Sequence, residues 1–141
     1  MKKIISDLLS FIFLFSINVN AEEKLTIEKQ LVGIVGAISG TVKTETRELK
    51  AGDKIYLNET IYAGPGSGTQ ILLLDQSTFT VGEDSEVVMD TFVFDPETND
   101  GKIVASVKQG SLKVISGLIS KKNPDSLTVE VPEGTLGSRG T

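Results

Sequence analysis

The sequence predicts an all-β fold, a single domain of many short strands arranged as a two-sheet sandwich or a compact β-solenoid. Three observations support this prediction. Apolar and polar residues alternate with a period of two in several runs, turn-forming residues interrupt these runs about every ten residues, and no stretch after the N-terminal apolar run has a helical period. Strand spacing alone leaves the choice between sandwich and solenoid open.

The N-terminal residues have the pattern of a secretory signal. Lys2 and Lys3 form a basic start, and residues 8–17 form an apolar run. Val19 and Ala21 are small residues at the positions that signal peptidase requires. The run is too short for a membrane span, which needs about 20 apolar residues. The expected organisation is a signal peptide at residues 1–21, a linker at 22–30 and the β domain at 31–141.

The composition removes several classes of function. The 141 residues contain no Cys, His or Trp. The chain therefore has no disulfide, no Cys/His zinc site and no catalytic unit that uses an imidazole or a thiolate. Without residues 1–21 it has 12 basic and 18 acidic residues, a net charge of −6 over 120 residues. This acidic balance argues against a nucleic-acid partner, which requires a basic surface.

The individual strands and turns follow in chain order. Alternating apolar residues predict strands at Ile71 and Leu73, Phe79 and Val81, Ile103 to Val107, Leu112 and Val114, and Leu127 to Val131. Clusters of turn-forming residues separate the strands, at Gly40, 51–53, 64–68, 75–77, 82–84, 95–101, Gly110 and 123–125. The β domain is expected to begin at about Leu31.

The acidic segment 95–101 is a weak candidate for a cation site. Its oxygen-bearing residues, of the kind that Ca²⁺ prefers, are Asp95, Glu97, Asn99 and Asp100. An EF-hand loop requires Gly at its sixth position and Glu at its twelfth, where this segment has Asp100 and Ser106. We therefore interpret the segment as a hairpin turn closed by Asp100 and Gly101, with weak calcium binding as the alternative.

Two hypotheses of catalysis do not need His. A carboxylate- or metal-dependent hydrolase would use residues from the acidic group Glu83, Asp84, Glu86 and Asp90. A Ser/Lys dyad would use Ser111 and Lys113, which share one strand face. Few aromatic residues and no Trp remain for a sugar-binding platform, and a solvated acidic face is the simpler interpretation.

Short motifs follow one another in a characteristic order from residue 32 to the end of the sequence. They are VGIVG at 32–36, LKAGDKIY at 49–56, ETIYAGPGS at 59–67, DQSTFTVG at 75–82, VKQGSL at 107–112 and LGSRGT at 136–141. Their order and spacing resemble the FecR-type domain family. The residues that match its motifs, and that the resemblance implies to be structural, are Gly52, Asp53, Gly64, Ser67, Asp75, Ser77, Gly110, Gly137, Arg139, Gly140 and Thr141.

The resemblance implies a non-catalytic binding or scaffolding module for protein–protein recognition at the bacterial cell envelope, with a role in envelope signalling. We expect an exported protein, periplasmic or extracellular, with no cofactor and with an envelope or secreted protein as its partner. The family's transmembrane regulators place an anti-sigma region and a membrane-spanning helix before this domain. Here a signal peptide leads directly into it, and we expect no stable membrane span after cleavage.

The end of the sequence adds one further expectation. The family continues into another strand after the motif at 136–141, so we expect the domain to lack its last strand or to belong to a longer chain. A missing last strand leaves a sheet edge that a partner strand can join. The alternatives to a recognition module are a calcium-dependent adhesin module and the hydrolase described above.

Overall fold

The computed structural model describes residues 29–137, and for residues 134–137 it describes the backbone only. The predicted signal peptide at 1–21 and residues 22–28 of the predicted linker lie outside the described residues. So do Arg139, Gly140 and Thr141.

Strands make up most of the described chain. They are β1 (Leu31–Ser39), β2 (Val42–Lys43), β3 (Lys54–Tyr56), β4 (Thr60–Ala63), β5 (Gly68–Leu73), β6 (Thr78–Val81), β7 (Ser85–Phe94), β8 (Gly101–Gln109), β9 (Leu112–Ile115), β10 (Leu127–Val131) and β11 (Gly134–Gly137). A helix, α1 (Leu118–Lys122), and a 3-10 helix (Pro124–Ser126) connect β9 to β10.

The strands form two sheets. Sheet A has five strands in the order β3-β1-β5-β6-β9, and sheet B has six in the order β11-β10-β8-β7-β4-β2. Neighbouring strands are antiparallel except β8 and β10, which are parallel. The all-β prediction is confirmed, and the structure is a two-sheet sandwich rather than a solenoid.

The core lies between the two sheets. The alternating residues of the predicted strands supply much of it, because a strand points every second side chain to the same face. The buried apolar residues are Val32, Val35, Val42, Leu49, Ile55, Ile61, Ala63, Ile71, Leu73, Phe79, Val81, Val87, Met89, Phe92, Ile103, Ala105, Val107, Ile119 and Leu127. Each large side chain among them contributes about 1.5–3 kcal/mol by leaving water, so this core stabilises the domain without disulfides.

The sequence predicts no helix after the N-terminal apolar run. This prediction is wrong at residues 118–122, which form α1. Five residues are too few to show a helical period, and an isolated helix of this length is unstable in water. Contacts with the sandwich hold it instead. The Leu118 N–H donates to the Asp75 carbonyl at 2.7 Å, and Ile119 is buried against Gly101.

The chain passes between the sheets twice in the same manner. Residues 60–71, in β4 and β5, correspond to residues 78–89, in β6 and β7, at a spacing of 18 positions. The two segments share a Gly-x-x-Ser turn, and their burial differs only at Gln70 and Val88. β4 to β5 leads from sheet B to sheet A, and β6 to β7 leads back. We call these two turns corner 1 (Gly64–Ser67) and corner 2 (Gly82–Ser85).

A buried serine organises each corner. In corner 1 the Ser67 Oγ accepts a hydrogen bond from the Thr41 N–H at 2.9 Å and donates to the Pro65 carbonyl at 3.2 Å. In corner 2 the Ser85 Oγ accepts from the Ser111 N–H at 2.9 Å and donates to the Glu83 carbonyl at 3.0 Å. Each serine thereby joins its corner to a second loop. Ser67 holds the β1–β2 loop, and Ser85 holds the β8–β9 loop.

A glycine with positive φ precedes the bonded N–H at both corners. Gly40 has φ +72° and Gly110 has φ +82°. A Cβ atom on Gly40 would lie 2.3 Å from the Ser67 Oγ, and one on Gly110 would lie 2.1 Å from the Ser85 Oγ. Glycine therefore meets both a steric and a conformational requirement at these positions.

Candidate functional site

The motif Asp75-Gln76-Ser77 forms the turn between β5 and β6. Asp75 is fully buried, and its carboxylate accepts hydrogen bonds from the Ser77 N–H at 3.0 Å, the Ser77 hydroxyl at 2.9 Å and the Ile119 N–H at 3.3 Å. Gln76 has φ +71°, which the turn requires. This carboxylate joins the turn to α1 and has no opening to solvent, so its geometry is structural.

The motif around Gly52 and Asp53 forms a second turn. Gly52 has φ +91°, and its N–H donates to the Val35 carbonyl at 2.8 Å. The Asp53 carboxylate accepts from the Lys50 N–H at 2.9 Å and closes the turn.

Gly137 lies in β11, paired with Thr128 of β10. Gly64, Ser67 and Gly110 were predicted to be structural, whereas their counterparts Gly82, Ser85 and Gly40 were predicted only as turn or motif residues. The repeated G-x-x-S pattern could have identified the roles of Gly82 and Ser85.

The acidic segment between β7 and β8 is a hairpin turn, as predicted. The Asp95 N–H donates to the Asp100 carbonyl at 2.9 Å, and the Asn99 N–H donates to the Asp95 carbonyl at 2.8 Å. The left-handed residue of the turn is Asn99, with φ +64°. The Asp95 carboxylate accepts from the Glu97 N–H at 2.9 Å. These bonds shape the turn itself.

A lysine of α1 neutralises the exposed Asp100 carboxylate. The Lys122 Nζ lies 2.8 Å from the Asp100 Oδ1 and also donates to the Thr98 carbonyl at 2.7 Å. The hydrogen bond and the charge of Lys122 lower the pKa of Asp100 below its ordinary value of 3.8. Within residues 29–137 no group of three or more acidic side chains is placed to hold a metal ion.

The four carboxylates considered for catalysis have different surroundings. Glu83, in corner 2, accepts from the Gly66 N–H of corner 1 at 3.0 Å. Asp84 has φ +53° in the same turn, and its carbonyl accepts from the Gln109 side chain at 3.2 Å. Glu86 and Asp90 lie along β7, where Asp90 accepts from the Ser106 hydroxyl.

The Ser/Lys pair considered for a dyad lies at the start of β9. The Ser111 N–H donates to Ser85 of corner 2. The Ser111 side chain lies over Gly82, where a Cβ atom would come within 2.2 Å of the Ser111 Oγ. Lys113 is exposed on the outer face of sheet A.

The outer face of sheet A carries an apolar row that the sequence analysis did not single out. Strand pairing aligns one residue from each strand across the whole sheet, in the order Lys54, Ile34, Leu72, Thr78 and Ile115. Ile34, Leu72 and Ile115 are 41%, 48% and 52% exposed. We call these three residues the outer apolar row. The sequence signal for this row is Leu72, an apolar residue at a position of β5 where the alternating pattern predicts a polar one.

The outer face of sheet B is polar by comparison. One aligned row across it contains Lys43, Tyr62, Glu86 and Gln109. Another contains Thr60, Val88, Ser106 and Glu130. Three of the five large apolar side chains that are exposed among the described residues therefore lie in the outer apolar row, and a group of this kind is typical of an interaction surface.

A second exposed apolar area lies at the end of the sandwich where β1 begins. A groove of about 570 Å³ is lined there by Gln30, Leu31, Leu74, Phe92, Val93, Phe94 and Pro96. Leu74 and Val93 are 46% and 60% exposed. Polar groups are few in this groove, so it offers shape and apolar area but no catalytic group.

No helix within residues 29–137 has the length and hydropathy that crossing a membrane requires.

Comparison with protein-family models gives a match to the family described as FecR protein, over residues 59–141. Comparisons with curated proteins and with solved structures gave no match. The matched region contains both corners, the Asp75 turn and β9, and it covers more than half of the 141 residues. The family is associated with the cell envelope and with envelope signalling. On this match and on the sandwich that carries its motifs, the chain belongs to the FecR protein family.

Proposed function

We propose that the chain is an exported, non-catalytic module for protein–protein recognition at the bacterial cell envelope. The observation that carries this proposal is the outer apolar row. A sandwich buries the inner faces of its sheets and has no structural need for large apolar residues on an outer face. Three such residues aligned across β1, β5 and β9 make an apolar surface that a partner can cover.

The family and the sequence support the envelope location. The match to the FecR family associates the chain with the envelope. The basic start, apolar run and small residues at positions 1–21 supply the export pattern. The acidic net charge favours a protein partner over nucleic acid.

The surroundings of the polar groups support a role without catalysis. Asp75, Glu83, Asp90 and Asp100 each accept hydrogen bonds from the protein's own backbone, hydroxyl or ammonium groups. Such bonds order turns and strands, so these four carboxylates have structural partners within the protein.

Affinity purification from cell envelopes tests the proposal. We expect the wild-type protein to retain a defined envelope protein and the Leu72→Ser variant to lose it, because removing the central leucine interrupts the row. Val93→Ser is the matched control, since Val93 is 60% exposed but lies outside the row. Equal retention by all three proteins would contradict recognition through this face.

A further inference from the structure

The sandwich has four sheet edges, and a loop covers two of them. Residues 44–50 pass beside β2, where the Leu49 N–H donates to the Val42 carbonyl at 2.8 Å. The same loop reaches the β3 edge through Arg47, which donates to the Lys54 carbonyl and pairs with Glu59 at 2.9 Å. The remaining edges are β9 in sheet A and β11 in sheet B.

The contact between Gly82 and Ser111 shows which residues of β9 form hydrogen bonds with β6. The Gly82 N–H donates to the Ser111 carbonyl at 3.1 Å, so Ser111 and every second residue after it bond to β6. The N–H and C=O groups of Leu112 and Val114 consequently point away from the sheet. No strand of the described residues pairs with this side of β9, and such an edge is a template for another strand.

Sheet B extends further on this side than sheet A does. Only Gly110 and Ser111 connect β8 to β9. Sheet A ends at β9, whereas sheet B continues past β8 with β10 and β11. Val129 and Val131 of β10 are only half-buried, as are Leu112 and Val114. One more strand beside β9 would cover all four side chains.

Lys113 distinguishes between possible occupants of this position. In antiparallel pairing of two copies through the full length of β9, Leu112 bonds to Val114 of the other copy, which puts the two Lys113 side chains directly opposite each other. Like charges in that position are destabilising. An acidic residue opposite Lys113 gains instead, and Lys54 and Lys113 are the charged side chains in the aligned rows of this outer face.

We propose that β9 accepts an extended segment of a partner protein that alternates apolar residues with an acidic residue opposite Lys113. The apolar residues bond to Leu112 and Val114 and cover Val129 and Val131. The acidic residue lies on the outer face beside Lys113. This inference rests on the proposed recognition function and assigns its partner a chemical pattern.

Amide hydrogen exchange of the full chain, measured with a short capped peptide containing Val-Glu-Val between threonines, tests the proposal. We expect exchange of the Leu112 and Val114 amides to slow on addition of the peptide. The amides of Lys113 and Ile115 already bond to β6, so their exchange should change much less. This alternation is the signature of strand addition rather than of side-chain binding.

Charge reversal supplies the second measurement. Lys113→Glu should lower the affinity for the Val-Glu-Val peptide by about two- to fivefold. It should raise the affinity for a Val-Lys-Val peptide to a similar extent. Lys54→Glu is the matched control on the opposite edge of the same sheet and should leave both affinities unchanged.

Four outcomes overturn the proposal. The first is unchanged exchange of Leu112 and Val114 at millimolar peptide. The second is equal binding of both peptides, which removes the acidic preference. The third is protection of these amides in the free protein at all concentrations, which means that the chain's own residues occupy the edge. The fourth is protection that rises with protein concentration alone, which means that a second copy occupies it.

The experiments distinguish failure of strand addition at β9 from failure of the proposed recognition function. If a partner is captured through Leu72 but binding is insensitive to Lys113→Glu, recognition stands and the strand addition at β9 is wrong. If capture is insensitive to Leu72→Ser as well, the recognition function itself is wrong.

Discussion

At the scale of single residues, the structure depends on buried polar side chains whose hydrogen bonds hold turns in place. Asp75 has no exposed surface, yet it accepts three hydrogen bonds and connects a β-turn to α1. Burying a carboxylate is costly unless donors surround it. The motif was recognisable in the sequence as a turn, but its depth was not, because burial depends on α1, which lies more than forty residues further along the chain.

Asp75→Ala should lower the free energy of unfolding by about 3 kcal/mol or more, because it leaves buried donors of Ser77 and Ile119 without an acceptor. Asp75→Asn keeps one acceptor oxygen and should cost less, about 1–2 kcal/mol. Urea denaturation measures both. Equal small losses for the two variants would contradict the structural role of this carboxylate.

Gly110→Ala and Gly52→Ala separate steric clash from backbone strain. Both glycines have positive φ, which costs alanine about 1–2 kcal/mol. A Cβ atom on Gly110 also meets the Ser85 Cα at 2.6 Å, whereas one on Gly52 meets nothing within 4 Å. Thermal and urea unfolding should therefore show a loss for Gly110→Ala that exceeds the loss for Gly52→Ala by about 1–3 kcal/mol. Equal losses would mean that corner 2 relaxes freely.

At the scale of elements, the two corners have the same arrangement of residues and hydrogen bonds. The same serine hydroxyl, positive-φ glycine and strand connection occur at both. Ser67→Ala and Ser85→Ala should each cost about 1 kcal/mol, because each removes the hydrogen-bond acceptor of one backbone N–H. Ser39→Ala, at the exposed end of β1, should stay within about 0.5 kcal/mol of wild type in the same urea experiment. A loss at one corner only would contradict their equivalence.

The contact between α1 and the β7–β8 hairpin gives a pH-dependent prediction. Because Lys122 lowers the pKa of Asp100, this pair stabilises the folded state above the ordinary value of 3.8 and ceases to do so as the pH falls through the lowered pKa. In Lys122→Met, NMR titration should find the pKa of Asp100 raised towards 3.8. Lys121→Met is the control and should leave it unchanged. An unchanged pKa in Lys122→Met would refute the ion pair.

At the scale of the whole molecule, the fold class followed from local patterns, whereas the candidate site did not. Period-two alternation placed Ile71, Phe79 and Ile103 correctly in the core. The outer apolar row is made of residues from β1, β5 and β9 that are far apart in the sequence. Only the strand order aligns them, and one sequence does not specify which strands become neighbours or edges.

The central claim is that this FecR-family sandwich recognises a protein through the outer face of sheet A. Photo-crosslinking in living cells tests it most directly, with a photoreactive residue in place of Leu72 and, as the control, in place of Val93. We predict one discrete crosslinked product from position 72 and none from position 93. The absence of a product at position 72, or the same product from both positions, would contradict the claim.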